Sequence, residues 1–176
     1  SRDGESHGYY VYPDMSADSL YTLMCVDYEV QDEESWYTHS KHLLYQKPKS
    51  GYYRFPVEMG NKHLIRRLQL GQETPIKLSF TQSIRTRTQL AGAMGKKLLL
   101  DSAEVLQRLE DKTYLAQYGL TPETAVCLFI PNTYEVYWTM SADQLFARMH
   151  KEYLRFWNEE RRAKAKALDL TPVEVA

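Results

Sequence analysis

The sequence predicts an α+β fold in two parts, and three observations carry that expectation. A Gly-Tyr-Tyr segment closed by proline occurs twice, as Gly8-Tyr9-Tyr10-Val11-Tyr12-Pro13 and as Gly51-Tyr52-Tyr53-Arg54-Phe55-Pro56, each reading as a short strand. Ile76, Leu78 and Phe80 alternate with Lys77 and Ser79, the period of a half-buried strand. Leu145, Phe146, Met149, Tyr153, Phe156 and Trp157 recur at the spacing of one helix face. Together they give a small strand-helix-helix-strand-helix module over residues 1–72, then a helix-rich second part with short strands over residues 73–176.

Each element has its own justification. Ser16 is a candidate N-cap with Asp18 in the first turn, opening a helix that carries Leu20, Leu23 and Met24 on one face. A second helix is expected from Asp32 to Gln46, with Trp36, Ser40, Leu43 and Leu44 on its apolar side. After the Gly51–Pro56 strand, Leu64, Ile65 and Leu68 mark a helix that ends at Gly71, a natural C-cap. Leu90, Met94 and Leu98 face inward on the helix after the Ile76–Phe80 strand. Asp101 or Ser102 caps a shorter helix bearing Val105, Leu106 and Leu109. Thr121-Pro122-Glu123 is a turn or helix start. The longest helix should begin at Ser141 and run into a charged end, Glu159 to Lys166. Acidic and basic residues mix there, so it reads as a solvated end rather than a basic binding patch. Thr171-Pro172-Val173-Glu174 is a capping box that opens a further helix.

Composition narrows the function. A formal net charge of −1 gives no general attraction to nucleic acid or anionic lipid. No apolar run reaches the roughly 18 residues a membrane helix needs. The chain opens on Ser1 without methionine and stops at Ala176 in a helix start, so it is expected to be a piece of a longer protein. Cys25 and Cys127 are the two cysteines, either bridged in an oxidising compartment or buried as thiols. The 14 tyrosines suit either core-edge packing or a carbohydrate-facing surface.

Most active-site chemistries find no footing. The eight glycines are scattered and form no phosphate-cradling loop. His39 and His42 are three apart, but nothing completes a tetrahedral set, so no metal is expected. No serine sits on a Gly-x-Ser-x-Gly elbow. The segment that stands out is Leu128 to Tyr137, an apolar run that meets a Pro-Asn-Thr turn and re-emerges as an aromatic, β-branched stretch. A polar turn pinned by proline between buried flanks can hold polar groups rigidly against a ligand. Pro131, Asn132, Thr133, Tyr134 and Glu135 are therefore the candidate substrate-binding residues. On strand alternation Glu135 shares a face with Thr133 and Tyr137.

Phe129-Ile130-Pro131-Asn132-Thr133-Tyr134, then Met140-Ser141-Ala142-Asp143-Gln144-Leu145, a long helix, and Ala167 to Ala176 with its Leu170-Thr171-Pro172 start resemble the YceG-like family of endolytic murein transglycosylases. The first module resembles that family's small LysM-like module. There are departures: Val126 and Cys127 occupy the family's Glu-Gly positions, Asn132 replaces its aspartate, and Asp169 stands where a helix-ending glycine is common. The resemblance implies cleavage of peptidoglycan glycan strands to 1,6-anhydro ends, with no metal or cofactor. Its catalytic glutamate is expected just beyond Ala176, so no catalytic residue is expected among these and the fragment alone should be inactive. It further implies the periplasmic face of the bacterial inner membrane, reached through an N-terminal anchor helix not in this sequence. Asn132 would offer an amide to sugar hydroxyls and Tyr134 a stacking surface. The alternative is a non-catalytic module that binds peptidoglycan or docks onto cell-wall synthases.

Overall fold

The structure is a computed structural model that describes residues 6–27, 34, 38, 41, 47–56 and 58–169. The helix expected over Asp32–Gln46, with His39 and His42, otherwise lies outside the described residues, as do the Thr171–Glu174 capping box and the Cys25 side chain. The fold class is α+β as expected, with two small antiparallel sheets and seven helices among the described residues. The chain divides into two compact units. One is Ser1–Ile76 with Tyr137–Thr139; the other is Lys77–Val136 with Met140–Ala176.

In the first unit, β1 (Ser6–Val11) pairs antiparallel with β2 (Gly51–Pro56), placing Tyr9 opposite Tyr53 and Tyr10 opposite Tyr52. Alternation sends Tyr9, Val11, Tyr53 and Phe55 into the core. There they meet Ala17, Leu20 and Met24 of α1 (Ala17–Asp27) and Leu64, Ile65 and Leu68 of α2 (Asn61–Leu70). Ser16 caps α1 as its sequence promised, its hydroxyl accepting from the Ser19 N–H at 3.1 Å. Leu23, expected inward, is 40% exposed, because the core-facing stripe runs through Leu20 and Met24. Gly8 is closely approached: a Cβ there would overlap the hydroxyl end of the half-buried Tyr52 ring on the opposite strand, which would have to swing aside. Gly71 ends α2 in the left-handed region at φ 66°. The segment Tyr137-Trp138-Thr139 joins this unit. Buried Trp138 meets the Tyr10 and Tyr12 rings edge-on, both at 5.0 Å, and the Thr139 hydroxyl donates to Glu73 Oε2 at 2.6 Å.

In the second unit, β3 (Ile76–Ser79) pairs with β4 (Thr133–Val136). The end of β3 meets the start of β4. The Ser79 and Thr133 hydroxyls lie 2.9 Å apart, and the Phe80 N–H donates to the Asn132 carbonyl at 3.0 Å. Against this pair pack α3 (Arg87–Lys97), α4 (Ser102–Glu110), α5 (Lys112–Ala116), a 3₁₀ turn at Ala125–Leu128 and α6 (Ala142–Phe156). Phe80, Phe129, Phe146 and Tyr114 form a chain of edge-to-face rings 5.3–5.5 Å apart through the core. Asp143 accepts from Arg108 Nε at 2.9 Å and from the Tyr114 hydroxyl at 2.8 Å, linking α4, α5 and α6.

Two helices depart from the expectation. The long helix does not continue into the charged segment. It leaves helical geometry at Trp157, and Asn158 starts α7 (Glu159–Ala167), its Oδ1 accepting from the Arg161 N–H at 3.0 Å. An asparagine side chain that satisfies an orphan N–H favours a new start over continuation. The short α5 was not expected at all. Asp111 caps it through the Tyr114 N–H at 3.0 Å.

Candidate functional site

The 3₁₀ turn ends at Phe129, whose buried ring anchors the chain. Ile130 and Pro131 then bend it into β4, with proline fixing φ at the bend. Asn132 is exposed and tied down twice. Its carbonyl accepts from Phe80, and its Oδ1 accepts from the Thr133 N–H at 2.8 Å. Its amide nitrogen makes no hydrogen bond among the described residues, leaving two donors directed by a fixed backbone. Thr133 is exposed and bonded to Ser79, which locks its hydroxyl to the neighbouring strand. Glu135 is exposed as its alternation predicted, while its backbone carbonyl accepts from Arg148 Nη1 at 3.1 Å.

Tyr134 does not offer the stacking face the sequence suggested. It is only 6% exposed, its ring packs 5.8 Å from that of Phe80, and its hydroxyl donates to the Ile130 carbonyl at 2.8 Å. Strand alternation between exposed Thr133 and exposed Glu135 puts Tyr134 inside. Burial, with a lesser push from Glu152, raises its pKa against the opposing effect of Arg148. It is therefore a neutral brace that closes the turn from within.

Beside this turn lies a cavity of about 620 Å³. Phe80, Leu90, Phe129 and Phe156 supply apolar wall, Pro131 contributes from the turn, and Thr81, Gln82, Arg85 and Glu123 supply polar groups. Cys127 also lines it, and burial pushes its thiol up, away from the thiolate a nucleophile requires. Of the proposed residues, only Pro131 reaches the cavity; Asn132, Thr133 and Glu135 occupy the exposed side of the turn. No motif marks Thr81, Gln82, Arg85 or Glu123 as site residues. They come together from two loops some 40 positions apart, a pairing no local pattern encodes.

Among the described residues, two carboxyl groups have pKa values clearly moved by their surroundings, and both move down. Hydrogen bonds from its own backbone N–H and from the Thr121 hydroxyl lower Glu123. The Arg108 guanidinium, then the Tyr114 hydroxyl, lower Asp143. A general acid needs the opposite displacement. Among the described residues, no group of three or more His, Cys, Asp or Glu could hold a metal, and no helix is long and apolar enough to cross a membrane.

The chain is thus an α+β protein with a two-stranded sheet packed on two helices, followed by a helical unit that presents a proline-pinned turn beside a cavity. The family model described as the YceG-like family matches residues 9–176, and the chain belongs to that family. Its fold is similar to the 2.6 Å crystal structure of the protein lmo1499 from Listeria monocytogenes, described as yceG-like. The TM-score is 0.51 at 18% identity, over 96% of this chain and 60% of that one. This chain thus spans 60% of the length of that relative. No curated protein matches the sequence.

Proposed function

We propose that the chain is the glycan-positioning part of a periplasmic, membrane-anchored lytic transglycosylase that cuts peptidoglycan strands internally. Membership of the YceG-like family over residues 9–176 supports the reading. The observation that carries it is the rigid turn beside the cavity, where the Asn132 amide is held outward with unused N–H donors. Sugar hydroxyls are the natural acceptors for such donors. The cavity also falls within the 300–1,000 Å³ range of small-ligand sites.

In this chemistry one carboxyl group protonates the glycosidic oxygen as its bond to the anomeric carbon breaks, and the next sugar leaves with a free hydroxyl. The sugar's own 6-hydroxyl attacks that carbon, giving its proton back to the carboxylate. That carboxyl group must sit in an apolar pocket to hold its proton. Neither Glu123 nor Asp143 is so placed, and Glu135 is exposed. The half-buried Glu152 is paired with Arg148 and Arg155, and Glu73 of the first unit accepts from Thr139 and does not line the cavity. In this reading the proton donor is none of these groups, and the described residues serve to hold the strand.

Retention on insoluble peptidoglycan tests the wall. Asn132→Ala removes donors worth about 1 kcal/mol in net hydrogen bonding, so retention should fall about fivefold. Unchanged retention would count against the turn as a sugar contact.

A further inference from the structure

The cavity carries charges that a neutral glycan does not use. Arg85 lies on the loop between β3 and α3, exposed, and its backbone N–H donates to Gln89 Oε1 at 3.0 Å. Its guanidinium makes no hydrogen bond or ion pair among the described residues. Glu123 lies on the turn before the 3₁₀ segment, exposed and held ionised by its hydrogen bonds. The cations that act on it are Lys112 and Arg87, and Arg87 is itself committed to the Pro122 carbonyl at 2.6 Å. Arg85 and Glu123 therefore line one cavity without neutralising each other, with apolar wall from Phe80, Ile84, Phe129 and Phe156 completing it. In an intact strand the lactyl carboxyl of each muramoyl sugar is consumed in the amide to its stem, so the sugars themselves have no charge to offer either group. An unpaired guanidinium beside an apolar surface is instead suited to a carboxylate, which it can bind bidentately.

We propose that this cavity takes the peptide stem carried by the muramoyl residues of the glycan. A stem carboxylate pairs with Arg85, the amine of its diamino acid pairs with Glu123, and the lactyl and alanyl methyl groups lie on the apolar wall. Thr81 and Gln82 supply hydrogen-bonding groups for the stem amides. This inference rests on the glycan reading above, since it treats the stem as a substituent of the bound strand.

The test measures affinity of the full chain for soluble glycan strands that keep their stems, and for the same strands stripped by an amidase. Stemmed strands should bind about tenfold more tightly, the value of one good charge-assisted contact. Stripped strands keep a lactyl carboxylate that can reach Arg85 but bring no amine, so Glu123→Gln should bind stemmed strands about as weakly as the parent binds stripped ones, and Arg85→Gln should bind stemmed strands about tenfold more weakly than the parent does. Both side chains are exposed, and thermal melting of each variant checks that its fold is intact. Equal affinity of the parent for both strand types, or variants that bind stemmed strands as tightly as the parent does, would overturn the proposal while leaving the glycan reading standing. Free stem peptide binding as tightly as stemmed strands would overturn it in favour of a peptide site unrelated to glycan. A parent that binds neither strand type would remove the glycan reading and this inference with it.

Discussion

Tyr134 separates a structural role from a ligand-binding one, and two substitutions divide its contributions. Tyr134→Phe keeps the ring against Phe80 and deletes the hydrogen bond to the Ile130 carbonyl. A net hydrogen bond is worth about 1 kcal/mol, and the bend carbonyl loses its donor. Tyr134→Ala also empties a site that is 94% buried, since 6% of the residue is exposed. Deleting a buried aromatic ring costs about 3–5 kcal/mol, because the surroundings relax only partly. The difference, about 2–4 kcal/mol, belongs to ring packing. Urea denaturation of parent and both variants measures it, with the shift in midpoint read at constant slope. Retention on peptidoglycan is measured in parallel under conditions where each variant is folded. Tyr134→Phe should retain normally, because the ring faces the core. The reasoning fails if Tyr134→Ala costs less than about 1 kcal/mol, which would mean the ring is not buried. It fails equally if Tyr134→Phe keeps full stability yet loses retention, which would put the hydroxyl on the ligand.

Three further outcomes follow from the structure. Asp143 is largely exposed, so Asp143→Asn should cost only about 0.5 kcal/mol near neutral pH. Its folded pKa lies below 3.8, so the parent's advantage should close as pH falls through that lower range; an advantage that persists in strong acid would contradict the ion pair. Burial, reinforced by Glu73 and opposed by Arg67, pushes Tyr53 up from 10.0 to about 12. A raised folded value means its stabilising contribution is intact below pH 10 and lost as pH rises to 12. Phenolate absorbance should show Tyr53 silent at pH 10 in the folded chain, and Tyr53→Phe should flatten the alkaline loss of stability. Asp169 holds a left-handed φ of 56° just past α7, a conformation that favours glycine. Asp169→Gly should therefore stabilise the chain by about 0.5–1 kcal/mol in thermal melts, and a loss would refute the strain assigned to that position.

The elements that could be read from sequence were those with a local cause. Alternation marks Ile76, Leu78 and Phe80 as inward; Leu78 in β3 and Phe80 just past its end are buried, while Ile76 at its start is half-buried. Ser16 and Ser141 read as helix starts because a side-chain oxygen must meet an orphan N–H, and each does so; of the two candidates Asp101 and Ser102, it is Asp101 that caps its helix. Asp169 was marked by comparison, standing where glycine is common, and its positive φ gives the reason. Asn158 carries the same chemistry as Ser141, yet the apolar stripe running to Trp157 obscured it. Periodicity cannot show where one helix hands over to the next when the second continues the register. Tyr134 illustrates a different limit. Aromatic and next to a polar turn, it suits stacking on a ligand or on Phe80, and only the tertiary fold decides. The cavity was illegible because Arg85 and Glu123 meet through the packing of separate loops.

The most direct test incubates purified murein with the chain, then separates sediment from soluble products and identifies muropeptides by mass spectrometry. The account predicts that the chain is carried down with the murein and that no 1,6-anhydro muropeptide is released. Anhydro products formed by the chain alone, and lost on Glu135→Gln or Glu123→Gln, would place the proton donor among these residues and contradict it.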